Sequence, residues 1–161
     1  MSKKIAIFIR SLHKGGAEKQ SILLAKTLSD FYKTFLIIFF NEGGFIQLAR
    51  KHNVNLIPLE GNFLKKVYKL YNFLRKENIH ALFNYLPINN VIGTIIGKLA
   101  GVHLIYGGIW TTEIKSSKLK MNLQKYLCNL FSTKIISNSY KFSRPYSYLS
   151  KEDRICLPLI N

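Results

Sequence analysis

A small set of residues has the types and spacing that chemistry needs, and they follow short apolar runs. Gly15-Gly16-Ala17-Glu18 comes after the run Ile5–Ile9 and opens an amphipathic stretch. Paired glycines at a helix start let ligand oxygens approach bare backbone N–H groups, which suits an anion or a sugar hydroxyl. A plain loop-to-helix turn is the competing reading. Glu18 falls in the favourable first turn of the helix dipole, and capping alone would also account for it. Asn84 and Asn138 each follow a strand-like run and can both donate and accept hydrogen bonds, as a polyhydroxylated ligand requires. Local capping is the alternative for each. Gly107-Gly108 precedes Trp110, whose ring could stack on a sugar or close the edge of the core. His13 has a near-neutral titration suited to proton transfer. No carboxylate is paired with it in the sequence, so no catalytic residue is assigned.

Several chemistries are disfavoured. The dinucleotide fingerprint G-x-G-x-x-G and the phosphate loop G-x-x-x-x-G-K-[ST] are both missing. So is the nucleophile elbow G-x-S-x-G. His52, His80 and His103 fall near strand or helix starts and lack metal-ligand spacing, so no metal site is expected. Cys128 and Cys156 read as reduced structural thiols.

The elements that must position these residues alternate. With 161 residues, 48% of them hydrophobic, the chain suits one well-cored domain. Strands are expected at 5–9, 34–40, 55–59, 79–85, 102–106, 133–136 and 154–157. Helices are expected at about 16–31, 45–52, 62–77, 87–100 and 117–131, with a short helix or loop near 141–150. Strand–helix alternation predicts an α/β fold: a single Rossmann-like open parallel sheet with helices on both faces. The helix from Pro87 carries the apolar set Ile88, Val91, Ile92, Ile95, Ile96 and Leu99, and Gly93 and Gly97 are expected to allow close helix–sheet approach. Leu119, Leu123, Leu127 and Leu130 are expected core positions of the 117–131 helix. In such a sheet, ligands bind beyond the carboxyl ends of the strands. That edge collects Arg10, Ser11, His13, Lys14, the glycine loop, Asn84, Gly107, Gly108, Trp110 and Asn138.

The formal net charge of +16 favours an anionic partner without naming it. Residues 62–77 combine an apolar stripe (Phe63, Val67, Leu70, Leu74) with Lys65, Lys66, Lys69, Arg75 and Lys76. That basic face is either ordinary solvated surface or a rest against anionic lipid heads. No nucleic-acid reader motif accompanies the charge, so no specific nucleic-acid binding is expected. The start lacks the pattern of a signal peptide, and no run of about 18 apolar residues marks a spanning helix.

The stretch IAIFIRSLHKGGAEKQSILLAKTL, with Gly15-Gly16-Ala17-Glu18 at the position of a G-G-A-E motif, resembles the amino-terminal domain of family 4 glycosyltransferases, which have the two-domain GT-B architecture. The region from Asn84 to Asn90, IYGGIWTTE at 105–113, IISNS at 135–139 and ICLPLIN at 155–161 extend the resemblance over essentially the whole chain. It implies an acceptor-side domain over 1–161, with the carboxyl-terminal donor-binding domain missing. The implied reaction of the complete enzyme is retaining transfer from a nucleotide-sugar co-substrate to a glycan or lipid-linked glycan acceptor. No other cofactor is implied. The implied setting is surface polysaccharide assembly by a cytoplasmic protein, peripheral on the inner face of the plasma membrane and touching anionic lipid. Implied substrate-binding residues are Gly15, Gly16, Glu18, Asn84, Gly107, Gly108, Trp110 and Asn138. The chain alone is expected to be inactive, a partial or split enzyme whose donor-binding domain is a separate partner. The alternative is a standalone, non-catalytic sugar- or polyanion-binding module.

Overall fold

The computed structural model describes residues 3–109, 126, 130, 132–137 and 154–156. The substrate-binding roles expected of Trp110 and Asn138, the thiol of Cys128, the short helix or loop near 141–150 and most of the expected 117–131 helix lie outside them. The described elements run β1 (Lys4–Ile9), α1 (Gly16–Ser29), β2 (Lys33–Ile38), α2 (Ile46–Lys51), β3 (Leu56–Pro58), α3 (Phe63–Lys76), β4 (Ala81–Asn84), α4 (Pro87–Leu99), β5 (Leu104–Ile109), β6 (Lys134–Ser137) and β7 (Arg154–Cys156).

The strands form one parallel sheet in the order β3-β2-β1-β4-β5-β6-β7. β1 is central because it is apolar on both faces. Ala6 and Phe8 meet the layer of α3 and α4, while Ile7 and Ile9 meet that of α1 and α2. A strand covered on both sides needs no polar alternation. On the α3 side, Leu70 and Leu74 are fully buried, each contributing about 2 kcal/mol through area removed from water. Asn62 caps α3 by accepting a 2.9 Å bond from the Lys65 N–H.

Helix α4 turns its small and polar residues, not its richest apolar set, to the sheet. Its buried residues are Asn89, Asn90, Gly93, Thr94 and Gly97. Ile92 and Ile96 pack on the core from the flank, while Ile88 and Leu99 are 53% and 66% exposed. The glycines explain the inversion. A Cβ on Gly93 would overlap the Asn84 amide, and one on Gly97 would lie 3.0 Å from Leu82 and 3.2 Å from Ile105. The backbone sits so close to the sheet that small residues must face it, and the isoleucines are displaced to the sides. The close approach read from Gly93 and Gly97 is present, and of the apolar set Ile92 and Ile96 reach the core from the side. Leu130, expected in the core, is 57% exposed. β5 also runs on through Gly107 and Gly108 to Ile109, so these glycines lie in a strand rather than in the loop after it.

Candidate functional site

The sheet order reverses between β1 and β4, and the crevice beyond their carboxyl ends is the usual ligand position in an open α/β sheet. Register places Phe8 beside Asn84, and Asn84 beside Gly107. The loop after β1 and the ends of β4 and β5 therefore share one edge.

The first wall is the loop after β1. Its backbone is laced to the loop after β2: the Leu12 N–H donates to Glu42 O at 2.9 Å, and the Phe45 N–H to Leu12 O at 2.9 Å. Gly43 stands against the Leu12 backbone at φ +121°, a conformation and a clearance that only glycine meets comfortably. Gly15 is the N-cap of α1, in extended conformation and with no side-chain cap. A Cβ there would meet the Glu18 carboxylate, so Glu18 folds back over the helix start. Gly16 is exposed, and a Cβ on it would meet nothing. The Gly15 N–H donates to His13 O at 3.0 Å, so the helix start from Gly16 on, beside the Glu18 carboxylate, is the surface this loop offers.

His13 gains a partner that sequence spacing hid. Its Nε2 lies 3.4 Å from Glu42 Oε1, both side chains being well exposed. Only the interlocking of the two loops brings these residues together.

The second wall is built differently. Asn84 is buried, and neither amide atom has a hydrogen-bond partner among the described residues. Next to it, the Tyr85 N–H donates to Phe8 O at 2.9 Å. Burial pushes the Tyr85 hydroxyl well above the usual phenol range, so it stays protonated. Leu86, the N-cap of α4, adopts φ +72° and ψ +152°, a region otherwise held almost only by glycine, at a cost of about 1–3 kcal/mol. Pro87 follows it as the first helical residue. Such strain concentrates where structure is held for function.

Gly107 and Gly108 are both buried. β4 ends its pairing at Asn84, opposite Gly107, so Gly108 has no strand neighbour on that side. The Asn90 side chain substitutes for one. Its Nδ2 donates to Gly108 O at 2.6 Å, and the Gly108 N–H donates to Asn90 Oδ1 at 3.0 Å. Asn90 is fully buried and mimics a peptide group. Sequence reasoning placed it near the edge without this task; its only signal was an amide one turn into a helix that follows a strand end.

At the opposite end of the strands, the His80 and His103 rings lie 5.5 Å apart. Desolvation holds the His80 imidazole below its ordinary range, with Lys3 and His103 adding to the effect. Among the described residues, no group of three or more His, Cys, Asp or Glu could hold a metal ion. No described helix is long and apolar enough to cross a membrane.

No family model matches the chain, and no curated protein matches it. Solved structures do. HepE from Anabaena, determined in complex with UDP and glucose, superposes with a TM-score of 0.82 at 18% identity, over 98% of this chain and 44% of its own. A glycosyltransferase from Rickettsia africae gives 0.68 at 11% identity, over 98% of this chain and 43% of its own. A UDP-N-acetylglucosamine 2-epimerase from Rickettsia bellii gives 0.64 at 12% identity, over 97% of this chain and 44% of its own. This chain therefore spans less than half the length of these proteins. Its fold is that of the Rossmann-like amino-terminal half of GT-B proteins.

Proposed function

We propose that this chain is the acceptor-side half of a nucleotide-sugar glycosyltransferase of family 4 type. One observation carries the reading: the likeness to HepE, a structure holding UDP and glucose, extends over 98% of the chain. The donor is a nucleotide-sugar gripped mainly by a separate donor-binding domain, and the acceptor is a glycan or lipid-linked glycan. Transfer proceeds with retention at the sugar carbon.

In this reading, the backbone N–H groups at the start of α1, from Gly16 on, face the donor's sugar and diphosphate across the cleft, while the Gly15 N–H is held by His13 O at 3.0 Å. They stabilise charge as the diphosphate leaves. Glu18 sets the shape of that surface by covering the helix start. Asn90 holds the β5 glycines at fixed height, and Gly107, Gly108 and Trp110 are assigned to the acceptor. Hydrogen bonds to hydroxyls are assigned to Asn138, while the Asn84 amide, buried against Gly93 of α4, lies beneath the surface. The protein's contribution is orientation and preorganised dipoles rather than a covalent step of its own.

The setting is the cytoplasmic face of a membrane. α3 supports this: Leu64 and Tyr68 are 77% and 65% exposed beside Lys65, Lys69, Arg75 and Lys76.

The test is a chimera joining this chain to the carboxyl-terminal part of HepE, supplied with radiolabelled UDP-glucose and a lipid-linked glycan. Label is expected in the acceptor with the chimera and not with the 161-residue chain alone. Turnover by the chain alone, lost on changing Gly16, would refute the split reading. A folded chimera that binds UDP-glucose yet epimerises or ignores it would refute transfer.

A further inference from the structure

Outside the glycine loop, one arrangement at the carboxyl edge has no task in the function above. Phe40 follows β2, and its N–H donates to Arg10 O at 2.7 Å, which fixes the two residues side by side. The Arg10 guanidinium carbon lies 5.6 Å from the centre of the Phe40 ring. From the first turn of α3, Lys66 Nζ lies 4.3 Å from the same ring centre and 5.2 Å from that of Phe39. Two cations from distant parts of the chain thus converge on one aromatic ring.

Neither has an anionic partner among the described residues. The nearby Glu42 engages His13, and Glu77 engages Lys4 and Lys33. With eight acidic residues against 24 basic ones, the chain has few carboxylates to spare for this edge. At exposed positions a ring face offsets only about 0.5–1 kcal/mol per cation, so two like charges beside one ring remain uncompensated. Their natural complement is a compact anion with several oxygens. A guanidinium reads such a group through paired N–H donors, and an ammonium adds a point charge. Phe63, exposed and edge-on to Phe39 at 5.6 Å, offers an apolar rim for the uncharged part of the ligand.

We infer that Arg10 and Lys66, held over Phe40, form a subsite for a phosphate group carried by the acceptor. The inference rests on the sugar-transfer reading for the word acceptor, and on geometry alone for the phosphate. Arg10 is the first residue after β1 and shares the carboxyl edge of the sheet with the glycine loop, its guanidinium on the β2 side over Phe40, so a phosphate here would anchor an acceptor at that edge. The phosphate belongs either to a soluble phosphorylated glycan or to a lipid headgroup.

The experiment titrates the full chain with glucose 1-phosphate, with uncharged glucose, and with phosphatidylglycerol–phosphatidylcholine vesicles against phosphatidylcholine alone. Arg10→Gln and Lys66→Gln are expected to weaken binding about tenfold each, the loss of one charge-assisted contact. Lys98→Gln removes the same charge from an exposed position in the last turn of α4, away from the ring and from the basic face of α3, and should change binding less than about twofold. Arg10→Lys and Lys66→Arg keep the charge, guard against effects on folding, and should retain most of the binding. Dependence on both residues with glucose 1-phosphate identifies a soluble phosphorylated acceptor; dependence with vesicles only identifies a lipid headgroup. Equal losses for Lys66→Gln and Lys98→Gln mean diffuse charge and overturn the subsite, as does binding of neither probe. The HepE chimera assayed with an uncharged acceptor keeps the two ideas apart: transfer there with no phosphate binding refutes the subsite alone.

Discussion

Replacing Asn90 by alanine should unseat the end of β5. The side chain makes two hydrogen bonds to Gly108, at 2.6 and 3.0 Å, in a fully buried position. Each bond contributes about 1 kcal/mol net, and the Gly108 N–H and carbonyl would then stay buried without partners, at about 1 kcal/mol or more together. The expected loss is on the order of 3 kcal/mol in urea unfolding, or a fall in melting temperature of about 6–12 °C for a chain of this size. Asn90→Asp sharpens the test. Its carboxylate can accept from the Gly108 N–H but has no proton for the carbonyl, whereas the neutral acid reproduces both contacts. Burial raises the folded-state pKa of such an acid, so its stabilising contacts are present at low pH and lost as pH rises. The deficit of Asn90→Asp relative to wild type should therefore shrink on acidification. Amide exchange at Gly108 should accelerate in Asn90→Ala. A change within about 0.5 kcal/mol of wild type, or unaltered exchange at Gly108, would refute the idea that a side chain completes the sheet.

Other expectations follow from the same geometry. Gly16→Ala meets open space at the first position of α1, so folding stability should move by no more than about 0.5 kcal/mol; any loss of ligand binding, read by calorimetry, then reports on access to the helix start. Thr94→Val should stabilise the fold by about 1 kcal/mol in urea unfolding, because its hydroxyl is fully buried with no partner among the described residues. Acid should destabilise the chain in two stages. Desolvation holds His80 below its ordinary 6.5, so its contribution is complete above that pH and fades as pH falls through the lower folded value. The Glu77 carboxylate is held below 4.5 mainly by its hydrogen bond from Lys4, so its contribution is lost later, in the range below that. His80→Gln should remove the first stage of a stability–pH profile and leave the second.

Strand and helix positions were largely legible because buried parallel strands are continuous apolar runs and glycines punctuate them. Gly93 and Gly97 were legible too, as points of close approach. What they do to the rest of α4 was not. Hydrophobic periodicity assigns the richest face to the core, but a backbone pressed onto the sheet leaves room only for Asn89, Asn90, Gly93, Thr94 and Gly97. Leu86 carries no sequence mark of its positive φ, since leucine is a poor choice for that conformation. The same limit governs the site. The glycine loop is local and can be read along the chain. His13 with Glu42, Asn90 with Gly108, and Arg10 with Lys66 are tertiary pairs whose members come from different elements.

The position of β1 between β2 and β4 also bears on how the chain folds. Ile5 pairs with Thr34 on one side and with Ala81 on the other, more than twice as far along the chain. Closing the longer loop costs about 1 kcal/mol more in chain entropy. The β1–α1–β2 unit is thus favoured to form early, with docking of β4 as the later event. Phe40 and Arg10 come together in the first event; Asn84 reaches the edge only in the second. The crevice therefore arises with the last long-range pairing, and an incompletely folded chain presents its cationic ring before it has a second wall.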